Sequence, residues 1–186
     1  MFSVPNLCDA GALYIKNLKP VLNNQKVIIG EVVTVRTNDD WGCVVKAISY
    51  AKGKIIFVKN EGEKAVWGGL ASLNAKIKGV KAVVIYGAIR DIEDIISLKF
   101  PVFYKEVNAE AGKPLNVGEI NIPIDIYNIT VSPGDYIACD MNGVCLIKRR
   151  CYNEIMERVK KVKSKENKIK ERIMKGQDLS EILNLR

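Results

Sequence analysis

Two short segments contain the residue types that bind small anions and hard cations. The first is the pair Gly68 and Gly69, and the second is Arg90 and Asp91, with Asp94 three residues further along. Arginine presents a planar fork of donors that matches a carboxylate, and aspartate oxygens are ligands that Mg²⁺ prefers. Asp94 lies one helical turn after Asp91, where it could orient the arginine or the waters of a metal ion. A structural explanation competes equally, with Asp91 capping a helix and Arg90 pairing with Asp94 at the surface.

The elements that position these residues are predicted to form a βαβ unit. Residues 54–58 and 81–86 are short apolar runs, as in buried strands, and helix formers between them end at Gly79. Parallel strands place both segments at their carboxyl ends, which is where ligands bind in open α/β sheets. Two glycines inside a helix would each cost about 1 kcal/mol relative to alanine. We therefore expect the helix to begin at Gly68–Gly69, although a purely structural Gly-Gly turn is the more common reason for such a pair.

That helix start would leave the amides of Leu70 and Ala71 without acceptors inside the helix. They would point into the crevice at the strand ends, and the helix N-terminus would favour an anion there. A second loop, 87–94, would face them. The sequence thus predicts a crevice with anion-binding amides on one side and Arg90, Asp91 and Asp94 on the other.

The rest of the chain divides into a helical and strand-rich half, an all-β half and a terminal helix. The first half is predicted to contain a helix at 5–18, a strand at 26–36, a helix at 40–52, a helix at 92–98 and a strand at 101–107. From residue 112 onward, turn signals such as Pro-Gly-Asp and Asn-Gly separate short strands at 119–126, 130–132, 136–140 and 144–148. A long helix over 151–175 with an apolar stripe, and a short helix after Asp178, end the chain.

Composition excludes several classes of function. The chain has 186 residues, 48% of them apolar, and no histidine, so mechanisms that need an imidazole are ruled out. Its five cysteines contain no C-x-x-C pair, which favours reduced thiols over a disulfide framework or a zinc site. No apolar run approaches the roughly 20 residues that span a bilayer, and no signal peptide is apparent. We expect a cytoplasmic protein that does not associate with membranes.

The net charge of +8 is concentrated at the C-terminal end. Residues 148–186 contain 13 Lys and Arg against six Asp and Glu, so the remainder of the chain is nearly neutral. Acidic residues interleave with the basic ones, and aromatic residues are scarce after Tyr152. This pattern favours a solvated helix face over a nucleic-acid-binding segment.

Taken together, these segments resemble the RraA-like family, which includes 4-hydroxy-4-methyl-2-oxoglutarate aldolases, oxaloacetate decarboxylases and the regulator of ribonuclease E activity. The resemblance covers about residues 5–160. It rests on the runs AVWGGLA at 65–71, KGVKAVVIYGAIRD at 78–91, FPVF at 100–103, NIP at 121–123, VSPGD at 131–135 and DMNGV at 140–144, with CDA at 8–10 near the start.

The resemblance implies an α/β/β/α sandwich similar to the swivelling phosphohistidine-domain fold, followed here by a long C-terminal helix. It also implies a ring-shaped homotrimer with active sites between subunits. Residues 1–150 would form the RraA-like α/β domain. Residues 151–186 would form a basic helical extension that packs on this body or on a neighbouring subunit.

The resemblance further implies a metal-dependent lyase that cleaves small 2-oxo acids to pyruvate. Arg90 would hold the substrate carboxylate, Asp91 would support Mg²⁺ or another divalent metal, and the amides of Leu70 and Ala71 in the Gly68–Gly69 loop would contact pyruvate. Asp94 is a second candidate metal ligand. Gly69 departs from the family pattern, because aldolases of this family tend to have an acidic residue there.

Two reactions fit these residues, namely decarboxylation of oxaloacetate and retro-aldol cleavage of 4-hydroxy-4-methyl-2-oxoglutarate. Decarboxylation makes the smaller demand on the protein, because it needs no base for a substrate hydroxyl group. The alternative is a non-catalytic regulator that binds a protein partner, with an association with RNA as a further option. The substitution at position 69 and the basic tail favour this alternative, whereas the intact Arg90, Asp91 and Asp94 favour the enzyme.

Overall fold

The computed structural model describes residues 2–23 and 26–185 of the chain. The helices are α1 Val4–Asp9, α2 Trp41–Ala47, α3 Gly69–Ile77, α4 Ile92–Leu98, α5 Tyr152–Met174 and α6 Leu179–Ile182. The strands are β1 Leu13–Ile15, β2 Lys19–Pro20, β3 Ile28–Thr37, β4 Ile55–Asn60, β5 Ala82–Ile89, β6 Val102–Val107, β7 Glu119–Ile120, β8 Ile124–Ile126, β9 Ile129–Val131, β10 Tyr136–Asp140 and β11 Gly143–Ile147. Short 3₁₀ turns follow α2 at Ile48–Tyr50 and precede α5 at Arg149–Cys151.

The predicted βαβ unit is confirmed, because β4 and β5 pair in parallel with α3 between them. Strand β3 extends the parallel group on one side and β6 on the other. Across the described residues the strand order is β1-β11-β10-β3-β4-β5-β6-β2, and the short β7 pairs separately with β3. Strands β8 and β9 form a hairpin of their own.

Three apolar clusters show how the sheet and helices are layered. Helices α2, α3 and α4 pack against one face of the parallel strands. The opposite face of those strands packs against β1, β8, β9, β10 and β11. The outer face of β10 and β11 is covered by α1 and by the beginning of α5. The molecule is therefore a mixed α/β protein with helices outside two facing groups of strands, and its likeness to phosphohistidine domains stays a prediction.

The long C-terminal helix packs on the body of its own chain through its first half. Ile155 and Val159 are buried in the cluster that contains α1. Further along, the Asn6 side-chain amide donates a hydrogen bond of 2.5 Å to Glu166 Oε1. Side chains from 170 to 175 are exposed. In the described part of the chain, no helix has the length and apolar character that a membrane span requires.

Several predicted boundaries were wrong. The helix predicted over 5–18 ends at Asp9, because Gly11 adopts a φ of +110° and the chain then turns into β1. The α-helix predicted over 40–52 ends at Ala47. Likewise, the strand predicted over 119–126 is two short strands on different partners.

The end of β5 also differs from the prediction. This strand continues to Ile89, so residues 87–89 belong to the sheet and not to a loop. The extra residues pair with β6 after a register shift between Ile85 and Ala88. The strand is thus longer than its uninterrupted apolar run, and it delivers Arg90 directly from the sheet edge.

A buried carboxylate fixes the loop that runs beside the carboxyl ends of these strands. Asp40 is fully buried, and its two oxygens accept five backbone N–H groups at 2.7–3.2 Å, from Gly42, Leu115, Asn116, Val117 and Gly118. Burial alone would raise the pKa of Asp40, but these hydrogen bonds outweigh it and lower the pKa to about 2. Asp40 therefore holds α2 and loop 113–118 together most strongly in its charged form.

We predict that Asp40→Ala lowers the free energy of unfolding by about 3 kcal/mol near neutral pH, because it leaves buried amides without acceptors. The pKa of Asp40 is lower in the folded protein than the unfolded value near 3.9, so its stabilisation is complete above that value. It is lost as the pH falls towards 2. Urea unfolding at pH 6 and pH 2.5 should show a difference between wild type and variant that shrinks by on the order of 2 kcal/mol.

The exposed Glu63 supplies the control, since Glu63→Ala also removes one carboxylate. It should change the unfolding free energy by less than about 0.5 kcal/mol at either pH. A difference between wild type and Asp40→Ala that is equal at the two pH values would contradict the role assigned to the charged carboxylate.

Candidate active site

A cavity of about 180 Å³ lies at the carboxyl ends of β4 and β5. Five of the residues predicted for the site line it, namely Gly68, Leu70, Ala71, Arg90 and Asp91. The remaining lining side chains are apolar, from Trp41 and Val45 on α2 and from Ala65, Val66, Trp67 and Ala111. The polar groups thus occupy one side of the cavity and an apolar wall occupies the other.

Asp91 connects the two predicted segments. It adopts a left-handed conformation, with φ of 57° and ψ of 45°, at the position that precedes α4. Its side chain does not cap α4, because Asp91 Oδ2 accepts a hydrogen bond of 3.0 Å from the backbone N–H of Gly69, the first residue of α3. The Asp91 carboxylate, which follows β5, therefore faces the N-terminus of α3, which follows β4.

Arg90 lies beside this carboxylate and opens towards the cavity. Its Nε is 3.7 Å from Asp91 Oδ2, and both side chains are partly exposed. The surface pair of Arg90 with Asp94 that was an alternative prediction is not among the ion pairs of the described residues. Arg90 also donates its backbone N–H to Trp67 O at 3.0 Å, which fixes the start of one segment against the other.

The two glycines are required by the closeness of the aspartates. A Cβ atom built on Gly68 would lie 2.4 Å from Asp91 Oδ2, which is far inside van der Waals contact. A Cβ atom on Gly69 would lie 2.8 Å from Asp94 Oδ2 and 2.9 Å from Asp94 Cβ. Gly69 and Asp94 are therefore packed together behind the cavity wall, and neither lines the cavity.

The predicted start of α3 is confirmed. Gly68 occupies the N-cap position, and the Ser72 N–H donates to Gly68 O at 3.0 Å as the helix begins. Helix geometry leaves the preceding amides of Leu70 and Ala71 without intrahelical acceptors. Leu70, whose backbone carries one of these amides, has a side chain that is 85% exposed.

Two indole rings hold the rest of the cavity wall. Trp67 is buried, and its Nε1–H donates to Ser72 Oγ at 2.8 Å, which ties the loop to α3. Trp41 Nε1–H donates to Gly112 O at 3.1 Å. Asp40 anchors loop 113–118, which comes directly after Gly112. Trp41 is therefore held in place where it faces the cavity.

Sequence reasoning missed the apolar wall. Trp41 and Val45 were placed in a helix, but no local pattern indicated that this helix would face Arg90. Ala111 reaches the cavity only because an isolated parallel β-bridge joins it to Ala65. These contacts bring together residues that are 20 to 70 positions apart, so composition and periodicity carry no signal for them.

The sequence of the chain matches one known protein family. The sequence profile of the RraA-like family, described as Aldolase/RraA, matches residues 4–146. This chain belongs to the RraA-like family. The basic residues after 146 lie outside the matched segment.

Individual relatives show the same family at two levels of similarity. The chain is 56% identical to an uncharacterized protein of Methanocaldococcus jannaschii, over 99% of this chain and 91% of that protein. It is 31% identical to a Halalkalibacterium halodurans protein named provisionally as a 4-hydroxy-4-methyl-2-oxoglutarate aldolase, over 86% and 80% of the two chains. A solved structure of the RNA-processing inhibitor RraA from a Thermus species superposes with a TM-score of 0.71 at 25% identity, covering 79% of this chain and 93% of that one.

We predict that Gly68→Ala is destabilising because its methyl group must displace the Asp91 carboxylate. The cost should be about 1–3 kcal/mol in urea unfolding, as for other overpacked sites. The same substitution in an Asp91→Gly background should cost less than about 0.5 kcal/mol, because the clashing oxygen is gone and glycine tolerates the left-handed φ. Equal costs in both backgrounds would show that Asp91 does not fill the space beside Gly68.

Proposed function

We propose that this protein is a divalent-metal-dependent lyase that acts on small 2-oxo acids and releases pyruvate. The observation that carries the proposal is the convergence of Arg90, the first amides of α3 and the Asp91 carboxylate on one cavity. Relatives that are named as aldolases at about 30% identity support the class of reaction. The choice of a small 2-oxo acid follows from the family resemblance, and the cavity residues by themselves indicate an anion and a hard cation.

Arg90 and the N-terminus of α3 are suited to hold the carboxylate of the substrate. The guanidinium offers two parallel donors, and the amides of Leu70 and Ala71 add the partial positive charge of the helix end. Both groups are backed by rigid elements, because Arg90 leaves directly from β5 and α3 is tied down through Ser72. The substrate would therefore be oriented by one carboxylate while its 2-oxo group faces Asp91.

The carboxylates present fit a Mg²⁺ ion that completes its coordination with water and substrate. Asp91 Oδ2 lies 3.0 Å from Gly69 N, and Asp94 Oδ2 lies 2.8 Å from the position of a Cβ on the same residue. Because residue 69 is a glycine, the Asp94 carboxylate occupies the space that a side chain at position 69 would fill. Among residues 2–23 and 26–185, no cluster of three or more His, Cys, Asp or Glu is placed to hold a metal. Mg²⁺ is commonly bound through one or two carboxylates with several waters.

A bound Mg²⁺ ion would supply Lewis-acid stabilisation of the negative charge that develops on the 2-oxo oxygen. Asp91 would hold the ion, and Asp94, which lies outside the cavity lining beside Gly69, would orient the waters of the ion. Arg90 would keep the C1 carboxylate of the substrate fixed while the C3–C4 bond breaks and C4 leaves, as carbon dioxide in the case of oxaloacetate, and the indole of Trp41 would restrict water on the opposite side. Arg90, Asp91 and Trp41 already face the cavity, so the proposed reaction requires no movement of the strands.

Of the two candidate reactions, we favour decarboxylation of oxaloacetate. Retro-aldol cleavage also needs a base that removes a proton from the substrate hydroxyl group. The chain has no histidine, and Asp91 is the one carboxylate among the described residues that line the cavity. A base for the aldol reaction would have to be an ordered water or a carboxylate from a neighbouring subunit.

From the family resemblance we also propose that the protein assembles as a homotrimer with its sites near subunit contacts, and an exposed apolar surface beside the cavity supports such a contact. Leu70, Leu73 and Ile77 form an exposed apolar stripe along α3, and Ile96 on the adjacent α4 is exposed beside it. Isolated exposed apolar residues are common, but a contiguous apolar stripe that begins at the cavity indicates a surface that another protein chain covers. Light scattering should give a mass of three chains, and a monomer at micromolar concentration would contradict the proposal.

The same stripe also supports the second candidate, a non-catalytic regulator that binds a protein partner. The Thermus structure of this fold is described as an RNA-processing inhibitor, so regulatory relatives exist. The two candidates differ in one requirement. Only the lyase needs Arg90 and Asp91 to act on a substrate, and turnover therefore separates them.

We predict that the wild-type protein releases pyruvate from oxaloacetate in the presence of Mg²⁺ and loses this activity with a chelator. Arg90→Gln and Asp91→Asn should each lower kcat/KM by at least roughly 100-fold, because each removes a charge that acts at the reacting centre. Asparagine tolerates the left-handed conformation of residue 91, so this variant tests charge without backbone strain.

Glu93→Gln is the matched control, because Glu93 lies in the first turn of α4 beside Asp94 but is exposed outside the cavity. This variant should keep activity within about twofold of wild type. The absence of metal-dependent turnover with either candidate substrate would reject the lyase and leave the regulator. Turnover that survives both site substitutions would instead place the reaction at another site.

A further inference from the structure

Helix α5 displays a straight row of basic side chains that the lyase does not use. The members are Arg158, Lys161, Lys165, Lys168 and Arg172, and we call them the basic row. Their spacing alternates between three and four residues, so at 3.6 residues per turn they lie within about 80° of arc on one face of the helix. All five are exposed. The row is about 21 Å long, from the rise of 1.5 Å per residue.

The helix separates charges that are interleaved in the sequence. Glu166 points towards α1, where it accepts from Asn6 and lies 3.0 Å from Lys163 Nζ. Glu157 is paired with Lys160 and lies about 60° from the centre line of the row, and Glu171 lies about 100° from it, so these two carboxylates flank the row on one side. Within the span of the row the helix therefore sets the cations along one line, with Glu157 and Glu171 beside that line and Glu166 on the face towards α1.

Most of the row is not neutralised within the chain. Arg158 forms an ion pair with Glu154, and Asp9 shares a shallow groove with Arg158 and Lys161. The other three members, at 165, 168 and 172, have no ion pair with any described acidic residue. The charge thus increases towards the end of α5 that extends past α1.

We propose that the basic row binds the phosphate backbone of double-stranded DNA without reading its sequence. Duplex DNA carries one negative charge per about 1.7 Å of its axis, so a row of about 21 Å faces roughly six base pairs. Each turn of α5 presents a cation to this continuous anion, and no acidic side chain lies at the centre of the row. Charge and length are therefore complementary over the whole face.

Other partners fit the row less well. Protein interfaces depend on buried aromatic or aliphatic anchors, and the row contains none. A membrane-bound helix inserts apolar side chains beside its cations, but the exposed apolar side chains of α5 lie off the row, with Ile173 about 100° from its centre line and Met174 on the opposite side. Single strands are usually bound through stacked aromatic side chains, which this face lacks. The wide major groove of B-form DNA admits a helix, whereas that of duplex RNA is deep and narrow.

Fluorescence anisotropy with a labelled 20-base-pair DNA duplex tests the proposal at several salt concentrations. The wild-type protein should bind with a Kd of about 10⁻⁶–10⁻⁴ M near physiological salt. The triple variant Lys161→Gln, Lys165→Gln and Lys168→Gln should weaken binding at least tenfold. It should also lower the slope of log K against log salt by about 2 to 3, since each phosphate contact contributes roughly 0.9.

A second triple variant is the matched control, because it removes the same net charge from the other flank of α5. It consists of Lys160→Gln, Lys163→Gln and Lys170→Gln, and it should change the slope by less than about 1. Circular dichroism should show both variants folded. Equal losses in the two variants would show that net charge alone attracts DNA, and the proposal would fail.

Three further results would overturn the proposal. The first is no detectable binding of the DNA duplex by the wild-type protein. The second is tighter binding of an RNA duplex of the same sequence. The third is row-dependent binding to vesicles that contain anionic lipid, or to polyglutamate, at salt concentrations where DNA does not bind. Each would assign the basic row to another class of polyanion or to none.

Discussion

The hydrogen bond from the Gly69 N–H to Asp91 Oδ2 is the contact on which the candidate site depends. It joins the first residue of α3 to the residue that precedes α4, so it fixes two loops that leave neighbouring parallel strands. The carboxylate can reach this amide because Gly68 has no side chain and because Asp91 adopts a left-handed conformation. With the aspartate held in this way, Arg90 and the first amides of α3 face the same cavity.

The opposite wall of the cavity depends on a second carboxylate, which is buried. Asp40 gathers the backbone amides of loop 113–118 and of the start of α2, which places Trp41 against the cavity. The polar side of the site and its apolar side are therefore supported by separate hydrogen-bond clusters. This division means that a change in one cluster leaves the contacts of the other side in place.

Local signals in the sequence predicted the elements that carry the site. Helix α4 begins and ends as expected, and the Gly-Gly pair does start α3. Resemblance to the RraA-like family was also evident from the ordered motifs. The bond between residues 69 and 91 could not be predicted, because it depends on strand register and on a left-handed residue. The apolar wall was missed for the same reason, since its residues come together only through long-range pairing.

For α5, the order of the charges along the sequence was a poor guide to how they lie on the surface. Their order along the chain suggested a mixed, solvated surface, but the helical period places the cations of the basic row on one side and Glu166 on another. The four-layer arrangement leaves this row outside the body, away from the cavity at the strand ends. The proposed chemistry at the cavity and the proposed binding at the basic row thus involve different elements of the chain.

A crystal structure with pyruvate and Mg²⁺ bound would test the proposed site most directly. We expect the pyruvate carboxylate between Arg90 and the amides of Leu70 and Ala71, with the metal held by Asp91 and the Asp91–Gly69 hydrogen bond intact. Pyruvate bound away from Arg90, or a metal bound without Asp91, would contradict the site as we have assigned it.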